Sequence, residues 1–371
     1  MTAKAQSALA LGTGAFEPNA LELCRLADFL TWDGAGDGPL HWISLYDDLL
    51  QARFAALVAA DPENAILTDG LALLSHRARR QVMRAPRVAE ALLAPERDVP
   101  AAGAIAAAAI VATLAEEGVV SGLDTPVWSV RGDRRLGQGE ANDPPRRLGR
   151  TDAVVDTCSP LQRMDDTPHP VLALSPAETD IACGKIDAAL EHLAATSAAI
   201  GAFWTRTIDV VALRGMTPAP PGLMSTTAEL TPRSMRIINA HQPQIGVDLL
   251  ADGLLHEAIH SIVFMFEHSV TRLLSPATMA ARTAAVSPWS GRSLQLLSYA
   301  HACIVWYGLY GYWRLAERSE DPAMAARARR QCDMARAGFA RRPVSQGLRP
   351  FHDTLAPETL ALLVLLEQRM L

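Results

Sequence analysis

The sequence has little lysine, few aromatic side chains and no paired cysteine motif. Only two of its 34 basic residues are lysines, Lys4 and Lys185, and aromatic residues make up 5% of the chain. The five cysteines are scattered and form no C-x-x-C pair, so the sequence predicts neither a disulfide framework nor a thiolate zinc site. The sequence also has no G-x-S-x-G elbow, so nothing supports a serine or cysteine nucleophile.

The charge balance and the hydropathy limit the expected partners. The formal net charge is −6 at pH 7 without a dominant basic region, so we expect no nucleic-acid binding. No apolar run reaches membrane-spanning length without a charge, since Glu116 and Glu117 directly follow the Ala-rich stretch 101–114. The N-terminus shows no cleavable signal pattern. We therefore expect a cytoplasmic protein that does not engage membranes, and the sequence leaves its oligomeric state open.

What the chain has in quantity is Ala, Leu and Val, which favour a helix-rich fold. Its 371 residues suffice for two domains or one large one. Apolar residues at i, i+3 and i+4 predict a helical N-terminal region over residues 1–120, with a kink or break at Pro86. A mixed β and loop connector is expected at 121–204, ending in the long helix Ala177–Phe203, before a catalytic region at 205–371.

The catalytic region begins with three short strands separated by proline-rich turns, at Ile208–Leu213, Leu223–Glu229 and Met235–Asn239. Further apolar periodicity predicts helices at Val247–Val270, Pro276–Ala285, Ser293–Arg318, Ala323–Phe339 and Pro357–Leu371. The predicted class is α+β and predominantly helical. A helical N-terminal half precedes a small β-sheet, which is expected to pack on the helix at 247–270, and further C-terminal helices follow.

An arginine-rich segment, Arg131–Arg150, lies in the connector. It carries six arginines against three acidic residues, interleaved with glycine and proline. Two interpretations stay open: a solvated loop, or a docking loop for an acidic peptide.

The helix at 247–270 contains an H-E-x-x-H motif, formed by His256, Glu257 and His260. Histidines at i and i+4 lie on one face of a helix, one turn apart, where both can bind one divalent ion. Glu257 points about 100° around the helix from His256, from where it can reach a metal-bound water. Because the surrounding helix is apolar, an unpaired imidazole or carboxylate there is costly. The alternative is a pair of core histidines satisfied by hydrogen bonds.

Two histidines leave zinc and non-haem Fe(II) open, because the third ligand and the open positions decide between them. The position of a metzincin's third histidine is occupied by Phe266. We predict His301 as the third ligand, since it lies in an apolar helix that can pack antiparallel to the motif helix; a core histidine is the alternative. Glu267 lies about 10 Å further along the motif helix, which suits a supporting or structural role. Glu317 and Asp333 are weaker carboxylate candidates.

The region from about 205 to 320 resembles a bacterial family of H-E-x-x-H proteins encoded near ribosomally synthesised, post-translationally modified peptides. The resemblance is carried by Met224–Thr227, Arg236–Asn239, the run L-L-A-D-G-L-L-H-E-x-x-H at 249–260, Ser287-Pro288-Trp289 and the helix at 298–313. Members of this family are similar to α-ketoglutarate-dependent iron hydroxylases that β-hydroxylate side chains of a precursor peptide. They are not peptidases, despite the motif.

The resemblance implies an Fe(II) and α-ketoglutarate-dependent hydroxylase whose partner is a precursor peptide. The distal carboxylate of the keto acid needs a cation, preferably arginine. We predict Arg292, with Arg282 and Arg314 as runners-up. The family commonly has an arginine directly after the tryptophan of Ser-Pro-Trp, whereas here Ser290 and Gly291 separate Trp289 from Arg292.

The substrate peptide is expected to lie along the edge of the small sheet, with Trp289, Thr226 and Asn239 as candidate substrate-binding residues. Three of the seven tryptophans fall within 25 residues of each other, beside His301, which suits a dry pocket.

Two other functional classes stay open. In a zinc endopeptidase, Glu257 is the general base that activates zinc-bound water. A non-enzymatic peptide-binding scaffold with a structural metal site fits the helical N-terminal half, but gives no reason for an intact Glu257.

Overall fold

The computed structural model describes residues 20–34, 38–94, 98–121, 123, 125–137, 145–160, 170–217, 222–280 and 283–371. Its helices are α1 (Ala20–Phe29), α2 (Gly38–Ala60), α3 (Leu71–Leu73), α4 (His76–Arg84), α5 (Pro86–Leu93), α6 (Val99–Glu116), α7 (Pro176–Thr196), α8 (Ala198–Thr207), α9 (Val247–Ser269), α10 (Pro276–Ala280), α11 (Leu296–Ala316), α12 (Pro322–Arg341), α13 (Val344–Gly347) and α14 (Pro357–Met370). A π-helical turn precedes α3 at Ile66–Gly70, and a 3₁₀ turn spans Arg349–Phe351.

The strands are short: β1 (Val127–Trp128), β2 (Arg135–Leu136), β3 (Val154–Asp156), β4 (Val171–Leu172), β5 (Val210–Met216), β6 (Met224–Thr227), β7 (Ser234–Ile238), β8 (Ala284–Val286) and β9 (Ser293–Gln295). The main sheet has the order β3-β5-β7-β6, with β4 also paired to β5. The β3–β5 and β5–β7 pairs are parallel, whereas β6 runs antiparallel to β7. The α+β, predominantly helical class is confirmed.

Contacts between residues divide the chain into two compact units. Among the described residues, unit 1 contains 44–190 and 205–253, and unit 2 contains 20–43, 191–204 and 254–371. Each unit therefore combines segments that are distant in sequence. The three-part division at residues 120 and 204 stays a prediction.

In unit 1, strands β5 and β7 are buried along their whole length, as expected for parallel strands covered on both faces. Arg214 nevertheless lies inside β5. Its guanidinium donates to the backbone oxygen of Asp156 at 2.5 Å, to the Asp156 carboxylate at 2.8 Å and to the Ser159 carbonyl at 3.0 Å. These bonds satisfy a charge that burial otherwise penalises, and they tie β5 to the end of β3.

The loop that leads from β7 into α9 is held by Lys185 of α7. Its ammonium group donates to the carbonyls of Gln242 at 2.6 Å and Ile245 at 3.0 Å, and lies 3.3–3.4 Å from two more. The first turns of α9 lie close to β6, since a Cβ added at Gly253 would come 2.3 Å from the Leu223 side chain. One of the chain's two lysines thus anchors the start of the motif helix.

In unit 2, the motif-bearing part of α9 packs against α11. Glu267 contacts His301, and further back along α9 the side chain of Ile259 meets Gly308, so the two helices run antiparallel. A Cβ at Gly308 would come 2.8 Å from Ile259, so this glycine permits the close approach. The predicted antiparallel packing of these two helices is therefore observed.

Some predicted boundaries are wrong. The helix expected at Ala177–Phe203 is interrupted at Ser197, where α7 ends and α8 begins, and the two come so close that a Cβ at Gly201 would lie 2.8 Å from that of Ala194. The helix expected at Pro276–Ala285 ends at Ala280, and β8 follows it. The first residues of the helix expected at Ser293–Arg318 instead form β9, which pairs with β8.

The hairpin between β8 and β9 turns at Gly291, whose φ of +69° lies in the left-handed region that favours glycine. The break expected at Pro86 is confirmed, because α4 ends at Arg84 and α5 begins with the proline. Helices α6 and α9 are long and apolar enough to cross a membrane on length and composition alone. Buried core helices meet the same criteria, and 72% of the apolar window in α9 is buried.

Candidate metal centre

The two motif histidines converge on one side of α9. Their Nε2 atoms lie 3.2 Å apart, with ring centroids 4.9 Å apart and ring planes at 56° to each other. The centroids are closer than they would be if the two nitrogens met head-on, so the two rings are tilted away from the line that joins their Nε2 atoms.

The distance between the two Nε2 atoms tests whether the pair can bind one metal ion. Metal–imidazole bonds of about 2.0–2.1 Å place two neighbouring ligands of one ion about 3.0–3.4 Å apart. The 3.2 Å between the Nε2 atoms of His256 and His260 lies in this range. The pair therefore fits two positions of one divalent ion. Within the described residues, no set of three His, Cys, Asp or Glu side chains has the geometry of a complete metal site.

His301, the predicted third ligand, lies on the other side of the His260 ring. The Nδ1 atoms of the two histidines are 3.1 Å apart, and the ring planes are only 18° from parallel. The 5.3 Å between centroids equals this separation plus the two ring radii, so the rings lie edge to edge and nearly coplanar. His301 thus contacts the nitrogen of His260 that faces away from His256. Its role as a metal ligand stays a prediction.

Glu267 completes the cluster from the next turns of α9. Its Oε2 atom lies 2.7 Å from Nε2 of His301, and its Oε1 atom accepts the backbone N–H of Leu273 at 3.2 Å. The ring of Phe264 covers His301 at 4.6 Å between centroids. The supporting role expected for Glu267 on spacing alone agrees with this position.

Burial divides the cluster into two parts. His256 and His260 are half-buried, whereas His301 and Glu267 are each only 2% exposed. Burial, reinforced by the neighbouring His256 and His301, holds the pKa of His260 well below its ordinary value. His260 is therefore a neutral imidazole at physiological pH, which is the form that binds metals.

Glu257, the candidate catalytic residue, is 3% exposed. Its backbone carbonyl accepts the Ser261 hydroxyl at 2.8 Å, a bond of the helix turn that follows the motif. Its role as the catalytic residue stays a prediction.

The predicted keto-acid arginine and the predicted substrate tryptophan share the β8–β9 hairpin. Arg292 is exposed at the turn. Trp289 stacks on Trp306 at 5.3 Å, meets Phe339 edge-on at 4.9 Å, and donates from its ring N–H to the Ala335 carbonyl at 3.1 Å. Trp289 therefore packs within unit 2. Its role in binding substrate, and that of Arg292, stay predictions.

Thr226 and Asn239 belong to unit 1. Thr226 lies in the edge strand β6 opposite Arg236 of β7, and its role in binding substrate stays a prediction. Asn239 adopts a φ of +61°, and its side chain exchanges two hydrogen bonds with the backbone of Met216, at 2.8 and 3.1 Å. The Asn239 side chain thus joins the ends of β5 and β7.

The remaining candidates lie elsewhere. Arg314 rests over the Tyr310 ring at 5.9 Å, and Arg282 lies outside the described residues. Glu317 follows α11, and burial together with this carboxylate raises the pKa of the Cys332 thiol, while Asp333 is exposed on α12. In the described part of the arginine-rich segment, ion pairs join Arg134 to Glu116, Arg146 to Asp180 and Arg147 to Asp152.

Sequence reasoning missed the contact between His301 and Glu267, and the cover provided by Phe264. The sequence does hold a cue for the contact between His301 and Glu267. Glu267 lies seven residues after His260, two helical turns along the same face of α9, where a neighbouring antiparallel helix can reach both. Comparison with known proteins finds no family model that matches the chain and no curated protein that matches it. The family resemblance therefore rests on the sequence motifs within residues 205–320.

Proposed function

We propose that the protein is an Fe(II) and α-ketoglutarate-dependent hydroxylase that β-hydroxylates a side chain of a ribosomally made precursor peptide. The observation that carries the proposal is the convergence of the His256 and His260 Nε2 atoms, 3.2 Å apart on a buried helix. Two imidazoles on one face are part of the donor set that non-haem Fe(II) oxygenases use. The resemblance of residues 205–320 favours iron over zinc.

In this proposal His256 and His260, whose side chains are both half-buried, hold the ion. The iron, when bound with the keto acid, supplies the oxidising chemistry. The chain's own contribution is to hold the two imidazoles on one face of α9, and burial keeps His260 neutral by lowering its pKa. The Phe264 ring lies nearly parallel to the His260 ring, with 6.1 Å between their centroids, and adds apolar surface on that side.

The test is the oxidation of α-ketoglutarate to succinate under aerobic conditions with added Fe(II). We expect succinate that depends on iron, on the keto acid and on His256, and a peptide product heavier by one oxygen atom. His256→Ala should abolish succinate formation. His192→Gln is the matched control, because His192 lies in the same unit and its Nε2 atom lies 3.0 Å from the Tyr312 hydroxyl, away from the motif histidines. Equal activity in the His256 variant would contradict the proposal.

The peptide is proposed to bind along β6, the last strand of the sheet, with Thr226 as a contact residue. Substitution of Thr226 should raise KM for a peptide substrate and leave kcat nearly unchanged. Unchanged peptide binding would contradict this docking mode.

A zinc endopeptidase is the second candidate, favoured by the intact and buried Glu257 between the two histidines. In that case purified protein should contain one zinc per chain, and Glu257→Gln should abolish peptide cleavage while zinc stays bound. Succinate formation that needs Fe(II), with no cleavage, would exclude this candidate.

A further inference from the structure

We propose that Glu267 and His301 are positioning residues that determine which ring nitrogen of His260 carries its proton, and that His301 is not a metal ligand. The relay runs from Glu267 through His301 to His260. It rests on the proposed function only in treating His256 and His260 as metal ligands. All of its members lie in unit 2.

The direction of the relay begins at Glu267. Its Oε1 atom faces the backbone N–H of Leu273, which can only donate, and its Oε2 atom faces Nε2 of His301 at 2.7 Å. In the proposed relay both carboxylate oxygens of Glu267 accept hydrogen bonds, so Nε2 of His301 carries a proton. Both groups are almost fully buried, so water does not compete for this bond.

The next step follows from the chemistry of a neutral imidazole, which has one donor and one acceptor nitrogen. With its proton on Nε2, His301 accepts at Nδ1. The facing atom, 3.1 Å away and nearly in the plane of the ring, is Nδ1 of His260, which must therefore donate. This leaves Nε2 of His260 without a proton, and its lone pair points toward His256. Only this tautomer binds a metal through Nε2.

Metal binding should also change which ring nitrogen carries the proton in one of the histidines. In the metal-free protein, His256 must donate from Nε2 to the Nε2 lone pair of His260, at 3.2 Å. To bind the ion through the same atom, His256 must move its proton to Nδ1. His260 and His301 already hold theirs where metal binding requires them. Of the three rings, only His256 should change tautomer.

Glu267→Gln is the variant that reverses the relay. The glutamine is nearly identical in shape, and the Leu273 N–H still needs an acceptor, so the amide oxygen faces Leu273 and the amide NH₂ faces His301. His301 then accepts at Nε2 and donates from Nδ1, and His260 accepts at Nδ1 and carries its proton on Nε2. The hydrogen bonds are kept, but the nitrogen that should bind metal is protonated.

The first experiment measures the ring tautomers by two-bond ¹H–¹⁵N correlation spectra of ¹⁵N-histidine-labelled, metal-free protein. We expect the proton on Nδ1 of His260 and on Nε2 of His301 in the wild type, and both swapped in Glu267→Gln. A wild-type His260 protonated on Nε2, a doubly protonated His301, or ring spectra unchanged by Glu267→Gln would overturn the relay. The wild-type spectrum decides even where the variant fails to fold.

The second experiment titrates the protein with Zn(II) against a chromophoric chelator. Glu267→Gln should weaken Zn(II) binding by about 10–100-fold, the usual effect of losing an outer partner of a metal-binding histidine. Glu22→Gln is the matched control: Glu22 is a buried carboxylate in the same unit that accepts from Trp42 at 2.9 Å, and its substitution should leave Zn(II) affinity unchanged. Equal weakening by both variants would overturn the relay.

X-ray absorption of the Zn(II)- and Fe(II)-loaded protein then counts the imidazole ligands. Two support the relay, and three, with His301 among them, overturn it. If the wild type binds neither ion, the proposed function fails, while the tautomers of the metal-free protein still test the relay. The two failures are therefore distinguishable.

Discussion

The two units of the protein satisfy their buried polar groups in opposite ways. In unit 1, buried charges are paired with opposite charges: Arg214 with Asp156, and Arg233 with Asp209. In unit 2, the central polar cluster contains three imidazoles and a single carboxylate, Glu267. The ion pairs of unit 1 join groups within the fold, whereas the histidine cluster of unit 2 ends at two half-buried imidazoles whose Nε2 atoms lie 3.2 Å apart.

This difference separates a structural role from a binding role. The guanidinium of Arg214 makes four hydrogen bonds to unit 1, so its bonding capacity is used within the fold. The histidine cluster is instead anchored at its buried end, by Glu267, and presents its other end at the half-exposed His256 and His260. Buried polar groups are a candidate site when they are satisfied on one side only.

The largest expected effect comes from breaking the ion pair of unit 1. Burial raises the pKa of Asp156, and Arg214 supplies the main opposing charge. Arg214→Met should lower the free energy of unfolding by about 3–5 kcal/mol, because it leaves a buried carboxylate without its partner. Urea denaturation measures this. The double variant Arg214→Met/Asp156→Leu should lose less than the single one, and an equal or larger loss would contradict the ion-pair account.

In unit 2, the packing of Trp289 is tested by Gly338→Ala. A Cβ at residue 338 would come 2.0 Å from the Trp289 ring nitrogen, so we expect a loss of about 1–3 kcal/mol in the free energy of unfolding. Gly184→Ala is the matched control, since Gly184 is also helical but no atom lies within 4 Å of an added Cβ. The control should be neutral or stabilising. Equal effects of the two would contradict the close packing of Trp289.

The lysine that holds the loop before α9 should matter less. Lys185→Met removes the donor to the carbonyls of Gln242 and Ile245, and we expect a loss of about 1–2 kcal/mol. Hydrogen exchange should quicken at residues 240–246 in the same variant. Unchanged exchange in that loop would show that the lysine does not hold it.

The smallest effect is expected at an exposed ion pair of unit 1. Arg146 bonds Asp180 at 2.5 Å, but both side chains are well exposed. Arg146→Met should therefore change the free energy of unfolding by less than about 1 kcal/mol. A loss comparable to that of Arg214→Met would show that the exposed ion pair stabilises unit 1 as much as the buried one, and would contradict the comparison.

The sequence predicted the elements that depend on local periodicity. Helix α9 was expected at Val247–Val270 and spans Val247–Ser269, and the break at Pro86 follows from the chemistry of proline. The convergence of His256 and His260 likewise follows from i, i+4 spacing in one helix. These features need no information from distant parts of the chain.

The remaining features depend on contacts between distant residues. The β8–β9 hairpin forms because the chain turns at Gly291 and two short segments pair with each other. Taken alone, the sequence of either segment is equally consistent with the end of a helix. Which face of His301 meets His260 depends on the approach of α11 at Gly308, which no local pattern encodes. For the same reason, the apolar helix around His301 suggested this residue as a ligand, but no sequence pattern could show that its Nδ1 atom faces the side of the His260 ring away from His256.

The most direct test of the central claim is an anaerobic titration of the protein with α-ketoglutarate, with and without Fe(II), followed by the visible absorption of the complex. The account predicts tight keto-acid binding that requires Fe(II) and is lost in His256→Ala. Binding that is equal without the metal, or that survives the loss of His256, would contradict it.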